Sequence, residues 1–216
     1  MPYEKTSVSC DEREQSSKFT WKPVLPPFLL THLLRLTKPA AKKRLSLYYY
    51  FEDSVKSRSN DDCIWSRDGC YTWNQANERV NQYAQWYLSK GVKPHDLVAF
   101  YLMNSPDFVF AWLGLWAVGA APAMINYNLG GKALIHCLKV SGSTLLLVDE
   151  DPDLVARIKA VRGDIEDLGM QICLVDVQTK SYIRALKAER PGDELREGVQ
   201  GNWEMCIFYT SGTTGT

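Results

Sequence analysis

Apolar positions fall into two alternating rhythms from residue 63 onward. Short continuous apolar runs at 97–102, 121–125, 144–148, 172–175 and 205–209 read as buried strands. Between them, the stretches 106–118, 132–140, 153–161 and 180–188 carry apolar residues at helical spacing. Strand, helix, strand, helix is the signature of an α/β fold with a βα-wound, largely parallel sheet. Ahead of it, Ile64, Trp65 and Cys70 to Thr72 flank Arg67, Asp68 and Gly69, which predicts a hairpin turning at Asp-Gly. Thr72 followed by Gln75 predicts a capping box, and Ala76, Val80, Tyr83, Ala84, Tyr87 and Leu88 then mark one helix face until Gly91 stops it.

The 24 uncharged residues between Asp107 and Lys132 are long enough to span a bilayer, which takes roughly 20. Punctuation divides them. Ser105 can cap a helix, Pro106 fits its first position, Asp107 suits its positive end and Gly119 can end it. That leaves a helix of about 13 residues, or roughly 20 Å. Residues 120–125, with Pro122 among them, then read as a buried strand. A core helix and strand are expected here, and no span.

At 216 residues, against roughly 150 per domain, the chain can bury a substantial core. With 45% apolar and 23% charged residues it is ordinary globular material. Twenty-five basic and 25 acidic side chains cancel, so no global basic field exists to recruit nucleic acid. The balance is uneven along the chain: residues 15–51 carry seven basic and no acidic groups. Lys18, Lys22, Arg35, Lys38, Lys42, Lys43 and Arg44 are interleaved there with Phe28, Leu29, Leu30, Leu33, Leu34 and Leu36. Two readings of 26–36 stand: a peripheral element in a lipid headgroup interface, or a linker whose leucines dock on the domain. The chain accordingly divides into a basic, leucine-containing segment, 1–44, and a folded part, 45–216. Six dispersed cysteines, with no CxxC pair and only three histidines, argue against a metal site. The polar, mixed-charge first twenty residues lack a secretory signal, so reduced thiols facing the cytosol are expected.

Wound sheets bind ligands beyond the carboxyl ends of their strands, where strand order reverses. Asn104, Asn126, Asp149 and the segment from Thr210 to Thr216 are therefore candidates, although turn and cap chemistry suits the first three better. His136 and Cys137 lie about 100° apart on a helix, which rules against a nucleophile and base pair and favours packing. Asp149, Glu150, Asp151 and Asp153 stand between a strand and a helix, where capping suits them better than a cation. At the end of the sequence, Tyr209 leads into Thr210, Ser211, Gly212, Thr213, Thr214, Gly215 and Thr216. Glycines can aim several backbone N–H groups at one point and hydroxyls add donors, which suits a phosphate. Composition alone also allows a polar tail, and the lysine of a Walker loop is missing.

YTSGTTGT, residues 209–216, resembles the phosphate-binding signature of the adenylate-forming enzymes, the AMP-dependent synthetase and ligase superfamily. NSPDFVFAWLGLWAVGAAPAMINYNL (104–129), KALIHCLKVSG (132–142) and WSRDGCYTWNQANERVNQYAQWYLSKGVKP (65–94) are similar to its fatty-acid-transport-protein branch, the long- and very-long-chain acyl-CoA synthetases, and most of all to the fungal transporters. The resemblance covers about residues 45–216. It implies a two-step ligase: a fatty acid carboxylate attacks the α-phosphate of ATP, giving acyl-AMP and pyrophosphate, and the coenzyme A thiol then takes the acyl group. Mg2+ accompanies ATP. Thr210, Ser211, Gly212, Thr213, Thr214 and Gly215 are implied to hold the β- and γ-phosphates, with Tyr209 supporting the loop. The family's signature lysine, adenine and ribose contacts, remaining acyl-tunnel walls and mobile C-terminal domain with its catalytic lysine all fall beyond Thr216. The resemblance thus implies an N-terminal fragment, about a third of such an enzyme, with no catalytic residue of its own and no activity alone. It further implies a place on the cytosolic face of an intracellular or plasma membrane, such as endoplasmic reticulum, peroxisome or lipid droplet. Two alternatives remain: a non-enzymatic, membrane-associated lipid-uptake protein, and an adenylating enzyme for an amino, aryl or bile acid.

Overall fold

The computed structural model describes residues 44–67 and 69–209. The basic segment apart from Arg44 to Phe51, the hairpin residue Asp68 and the phosphate-loop candidates Thr210, Ser211, Gly212, Thr213, Thr214 and Gly215 lie outside the described residues.

A short helix, α1 (Tyr48–Ser57), precedes an antiparallel hairpin of β1 (Asp62–Ser66) and β2 (Gly69–Thr72). The next helix, α2 (Trp73–Ser89), starts where the capping box predicts. Thr72 Oγ1 accepts from the Gln75 N–H at 3.3 Å and Gln75 Oε1 accepts from the Thr72 N–H at 2.9 Å. Then β3 (Leu97–Tyr101), α3 (Pro106–Ala117), β4 (Ala121–Met124), α4 (Gly131–Ser141) and β5 (Leu145–Asp149) alternate. They are followed by α5 (Pro152–Ala160), α6 (Arg162–Asp167), β6 (Gln171–Val175), α7 (Val177–Ala185) and β7 (Ile207–Phe208). The uncharged segment is α3 plus β4, with Ser105 accepting from the Phe108 N–H at 3.2 Å as the cap. Among the described residues no helix is long and apolar enough to cross a membrane.

The five strands β3 to β7 form one sheet, every pair parallel, in the order β6-β5-β3-β4-β7. Successive residues face opposite sides. Val98, Phe100, Leu102, Leu145 and Leu147 join α2, α3 and Ile183 of α7 in one core. Ala99, Tyr101, Leu146 and Val148 join α4, α5 and α6 in the other. Connections that step toward β7 cross the first face and those that step toward β6 cross the second, as right-handed crossovers require.

Helix α1 has no counterpart in the sequence expectation, and three further details differ from it. Helix α7 begins at Val177, not 180, because Asp176 caps it by accepting from the Thr179 N–H at 2.8 Å. A further short helix, α6, follows α5. The last strand pairs over two residues only.

Between α7 and β7 the chain runs irregularly, apart from a 3-10 turn at Asp193–Leu195, and is fastened by buried charge. Arg196 has no exposed surface. Its guanidinium donates to the carbonyls of Ala117 and Pro191, the latter at 3.1 Å, and to Asp193 Oδ1 at 2.8 Å. It also lies over the Tyr48 ring, 4.5 Å from the centroid. Beside it, buried Glu52 accepts from Arg44 at 3.2 Å and from two nitrogens of Arg190. Gly119 makes room for this strap, since a Cβ there would stand 2.3 Å from the Leu195 carbonyl oxygen.

Candidate functional site

Because all five strands point the same way, the residues after Tyr101, Met124, Asp149, Val175 and Phe208 gather on one edge of the sheet. The connection leaving β3 crosses one face while those leaving its neighbours β4 and β5 cross the other, so a crevice opens beside the carboxyl end of β3.

The structure brings Asn104, Asn126 and Asp149 to this edge but uses two of them for turns. Asp149 Oδ2 accepts from the Met103 N–H at 3.1 Å, tying the ends of β3 and β5, and its Oδ1 accepts from the Asp151 N–H at 3.2 Å. Asn126 Oδ1 accepts from the Asn128 N–H at 2.9 Å. Asn104 is exposed. The Asn126 loop is clamped twice more: the Tyr101 hydroxyl donates to the Leu129 carbonyl at 2.6 Å and Arg157 donates to the Tyr127 carbonyl at 2.6 Å.

The acidic cluster caps, as its position suggested. Asp151 Oδ1 accepts from the N–H groups of Asp153 and Leu154 at 3.0 and 3.2 Å. Glu150 accepts from the Val177 N–H at 3.0 Å and pairs with Lys180 at 2.8 Å. Among the described residues no group of His, Cys, Asp and Glu could hold a metal ion. His136 is exposed, while Cys137 packs against the second core, its thiol pushed up by burial.

A cavity of about 380 Å³ opens at this edge between the first turns of α3 and α7. Tyr71, Ser105, Asp107, Glu150, Lys180 and Arg184 line it. Lys180 is paired with Glu150, and Arg184 lies 3.4 Å from Asp107, so it offers no uncompensated cation. The Tyr83 hydroxyl donates to Asp107 at 2.9 Å, and burial together with that carboxylate keeps its pKa well above the ordinary value.

The segment from Thr210 follows Tyr209, which leaves β7 on the same edge beside β4 and packs its ring into the second core. Burial raises the Tyr209 hydroxyl pKa. What fixes β7 itself had no signature in the sequence. The Trp116 indole N–H on α3 donates to the Met205 carbonyl at 2.8 Å, and Trp112, one turn earlier, packs its ring 6.4 Å from that of Phe208. Helical spacing marked both tryptophans as apolar positions, but not as donors.

Comparison with known proteins places this geometry. The family described as AMP-binding enzyme matches residues 51–216. Isopenicillin N epimerase component 1 of Hapsidospora chrysogena is 37% identical over 62% of this chain and 22% of its own length. A very long-chain fatty acid transport protein of Cochliobolus heterostrophus is 30% identical over 83% of this chain and 28% of its own. The chain thus spans about a quarter of the curated relatives it matches. Among solved structures, a fatty acyl CoA synthetase of Mycobacterium tuberculosis superposes with a TM-score of 0.69 at 20% identity, over 77% of this chain and 32% of that one. Shared sheet, matched family and matched relatives agree: the chain belongs to the AMP-binding enzyme family, over the N-terminal part of its adenylate-forming fold.

Proposed function

We propose that residues 45–216 form the first part of the adenylation domain of an ATP-dependent ligase that joins long- or very-long-chain fatty acids to coenzyme A. The observation that carries the reading is the end of β7: Tyr209 stands at the carboxyl edge of a parallel sheet, and the hydroxyl- and glycine-rich residues are the next in the sequence. Backbone N–H groups and hydroxyls of Thr210, Ser211, Gly212, Thr213, Thr214 and Gly215 hold the β- and γ-phosphates of ATP while the fatty acid carboxylate displaces pyrophosphate. Mg2+, when bound with ATP, neutralises phosphate charge. Donors fixed in advance around developing charge supply a large part of the barrier reduction in such chemistry. The similarity to a fatty acid transport protein supports the acid class and a link to uptake. Peripheral contact of residues 15–44 with an anionic membrane belongs to the same proposal.

The test is fatty-acid-dependent exchange of labelled pyrophosphate into ATP by the protein isolated from its source. Exchange with a long-chain acid is expected, falling on the order of a hundredfold when Ser211 and Thr213 are both changed to Ala. Absence of exchange with every fatty acid overturns the ligase reading. A second reading, an adenylating enzyme for another acid, is favoured by the 37% identity to a protein named for isopenicillin N, and exchange with amino or aryl acids alone would establish it. The purified 216-residue chain is expected to make no acyl-CoA. Liposome co-sedimentation unchanged by deleting residues 15–44 would remove the membrane contact.

A further inference from the structure

β7 is an unusual strand. It pairs over two residues, Ala123 with Ile207 and Met124 with Phe208. In a parallel ladder each residue directs both its N–H and C=O to one side, and the next residue directs them to the other. The Ala121 and Ile125 N–H groups donate to Asp96 and Phe100 on the β3 side at 3.0 and 2.9 Å. Residues 122 and 124 therefore face β7. Extending the register by one pair, the N–H of residue 122 is the group that would meet the Met205 carbonyl, and residue 122 is proline, with no N–H to give. The donor that does meet Met205 is the Trp116 indole, at 2.8 Å.

We infer that Trp116 is a positioning residue: its indole N–H replaces the ladder bond that Pro122 cannot make and so sets β7, the strand that leads through Tyr209 into the segment proposed to bind phosphate. The inference rests on the proposed function only for what the positioned segment does. Four observations meet here. Trp116 reaches across from α3 to the backbone two residues before β7. Trp112 on the same helix packs on Phe208. Arg196 ties the last turn of α3, through the Ala117 carbonyl, to the strap that delivers β7. The strand's own pairing is too short to fix its position alone. Gripping the strand from α3 places its exit relative to the core rather than leaving it to two ladder contacts.

The test is a rescue. Trp116→Phe keeps an aromatic ring against Trp112 and removes the donor. Hydrogen exchange at the amides of residues 207–209 is expected to quicken roughly fivefold, the loss of one net hydrogen bond, with α2 amides as an unchanged control for global stability. Pro122→Ala supplies the missing N–H: added to Trp116→Phe it is expected to restore protection, and alone to change little. In pyrophosphate exchange the KM for ATP rises by a similar factor in Trp116→Phe and returns in the double variant, while kcat moves little. Unchanged protection, failure of Pro122→Ala to rescue it, or protection that changes without the KM overturns the inference. Absence of exchange in the unsubstituted protein overturns the proposed function instead, and the protection measurements still decide whether Trp116 sets β7.

Discussion

Gly119 and Gly91 provide a matched pair of perturbations. Both hold positive φ, +77° and +79°, so alanine at either carries the same backbone strain, about 1–2 kcal/mol. They differ in what the new methyl meets. At Gly91 nothing lies within 4 Å, whereas at Gly119 the methyl would stand 2.3 Å from the Leu195 carbonyl oxygen. That carbonyl cannot retreat cheaply, because the next residue, Arg196, is held by Ala117, Pro191 and Asp193. Forcing atoms into a packed site costs roughly 1–3 kcal/mol. Gly91→Ala is therefore expected to lose about 1–2 kcal/mol and Gly119→Ala about 2–5. At roughly 2–4 °C per kcal/mol for a chain of this size, the extra 1–3 kcal/mol should make the second melt about 2–12 °C below the first. Urea unfolding followed by tryptophan emission measures both, with unchanged m-values showing that the denatured state is the same. Equal losses at the two sites would refute the claim that the strap presses on the turn between α3 and β4.

Arg196→Met fills similar space but takes the donor from the Ala117 carbonyl, at about 1–3 kcal/mol, and leaves the Pro191 carbonyl with Arg190 as its donor at 3.2 Å, the loss being partly offset by no longer burying a charge. A net loss of about 2 kcal/mol is expected, and a melting temperature equal to the parent's would contradict it. Burial would raise the Asp193 carboxyl, but hydrogen bonds from Arg190 and Arg196 outweigh it and hold the group at about 2, below its ordinary 3.8. Its contribution to stability is therefore present above about pH 4 and is lost as the pH falls toward 2; Asp193→Asn should flatten the stability profile in that window, measured by urea titration at several pH values. Burial pushes the Cys206 thiol up to about 11. Iodoacetamide at pH 8 should label it much more slowly in the folded chain than in urea, and equal rates by mass spectrometry would show the site is open.

The strands of the parallel sheet, the helices between them other than α6, and their order along the chain were legible because apolar runs and helical periodicity report burial directly. Asn126 and Asp149 were legible as turn and cap residues for the same local reason: a short polar side chain between strand and helix finds backbone N–H groups within reach. The strap was not. Arg196 and Glu52 read as surface residues by type, and only tertiary packing, which pairs residues 138 positions apart in the Arg190 and Glu52 contact, makes them interior. The two-residue length of β7 was equally hidden, since 205–209 is apolar throughout while the pairing is limited by Pro122 on a different strand. Trp116 as a donor lies further still from the pattern, because periodicity reports a ring's burial and not where its single N–H points.

Strand order also dictates an order of assembly. Pairing β3 with β4 brings Leu97 to Ala121, and pairing β5 with β6 brings Leu145 to Gln171, both short excursions of the chain. Joining β7 to β4 brings Ile207 back to Ala123, closing a loop of 84 residues. Closing 84 residues rather than 24 costs about 1 kcal/mol more in chain entropy, and here the closure gains only a two-residue ladder. The other four strands therefore condense first and β7 docks on a finished template, so pulse-labelled refolding should protect the amides of β3 and β5 before those of 207–209. The strand that leads into the segment proposed to meet ATP is then the last to be seated, and a chain caught before that step has a formed core without the edge on which the proposed site depends.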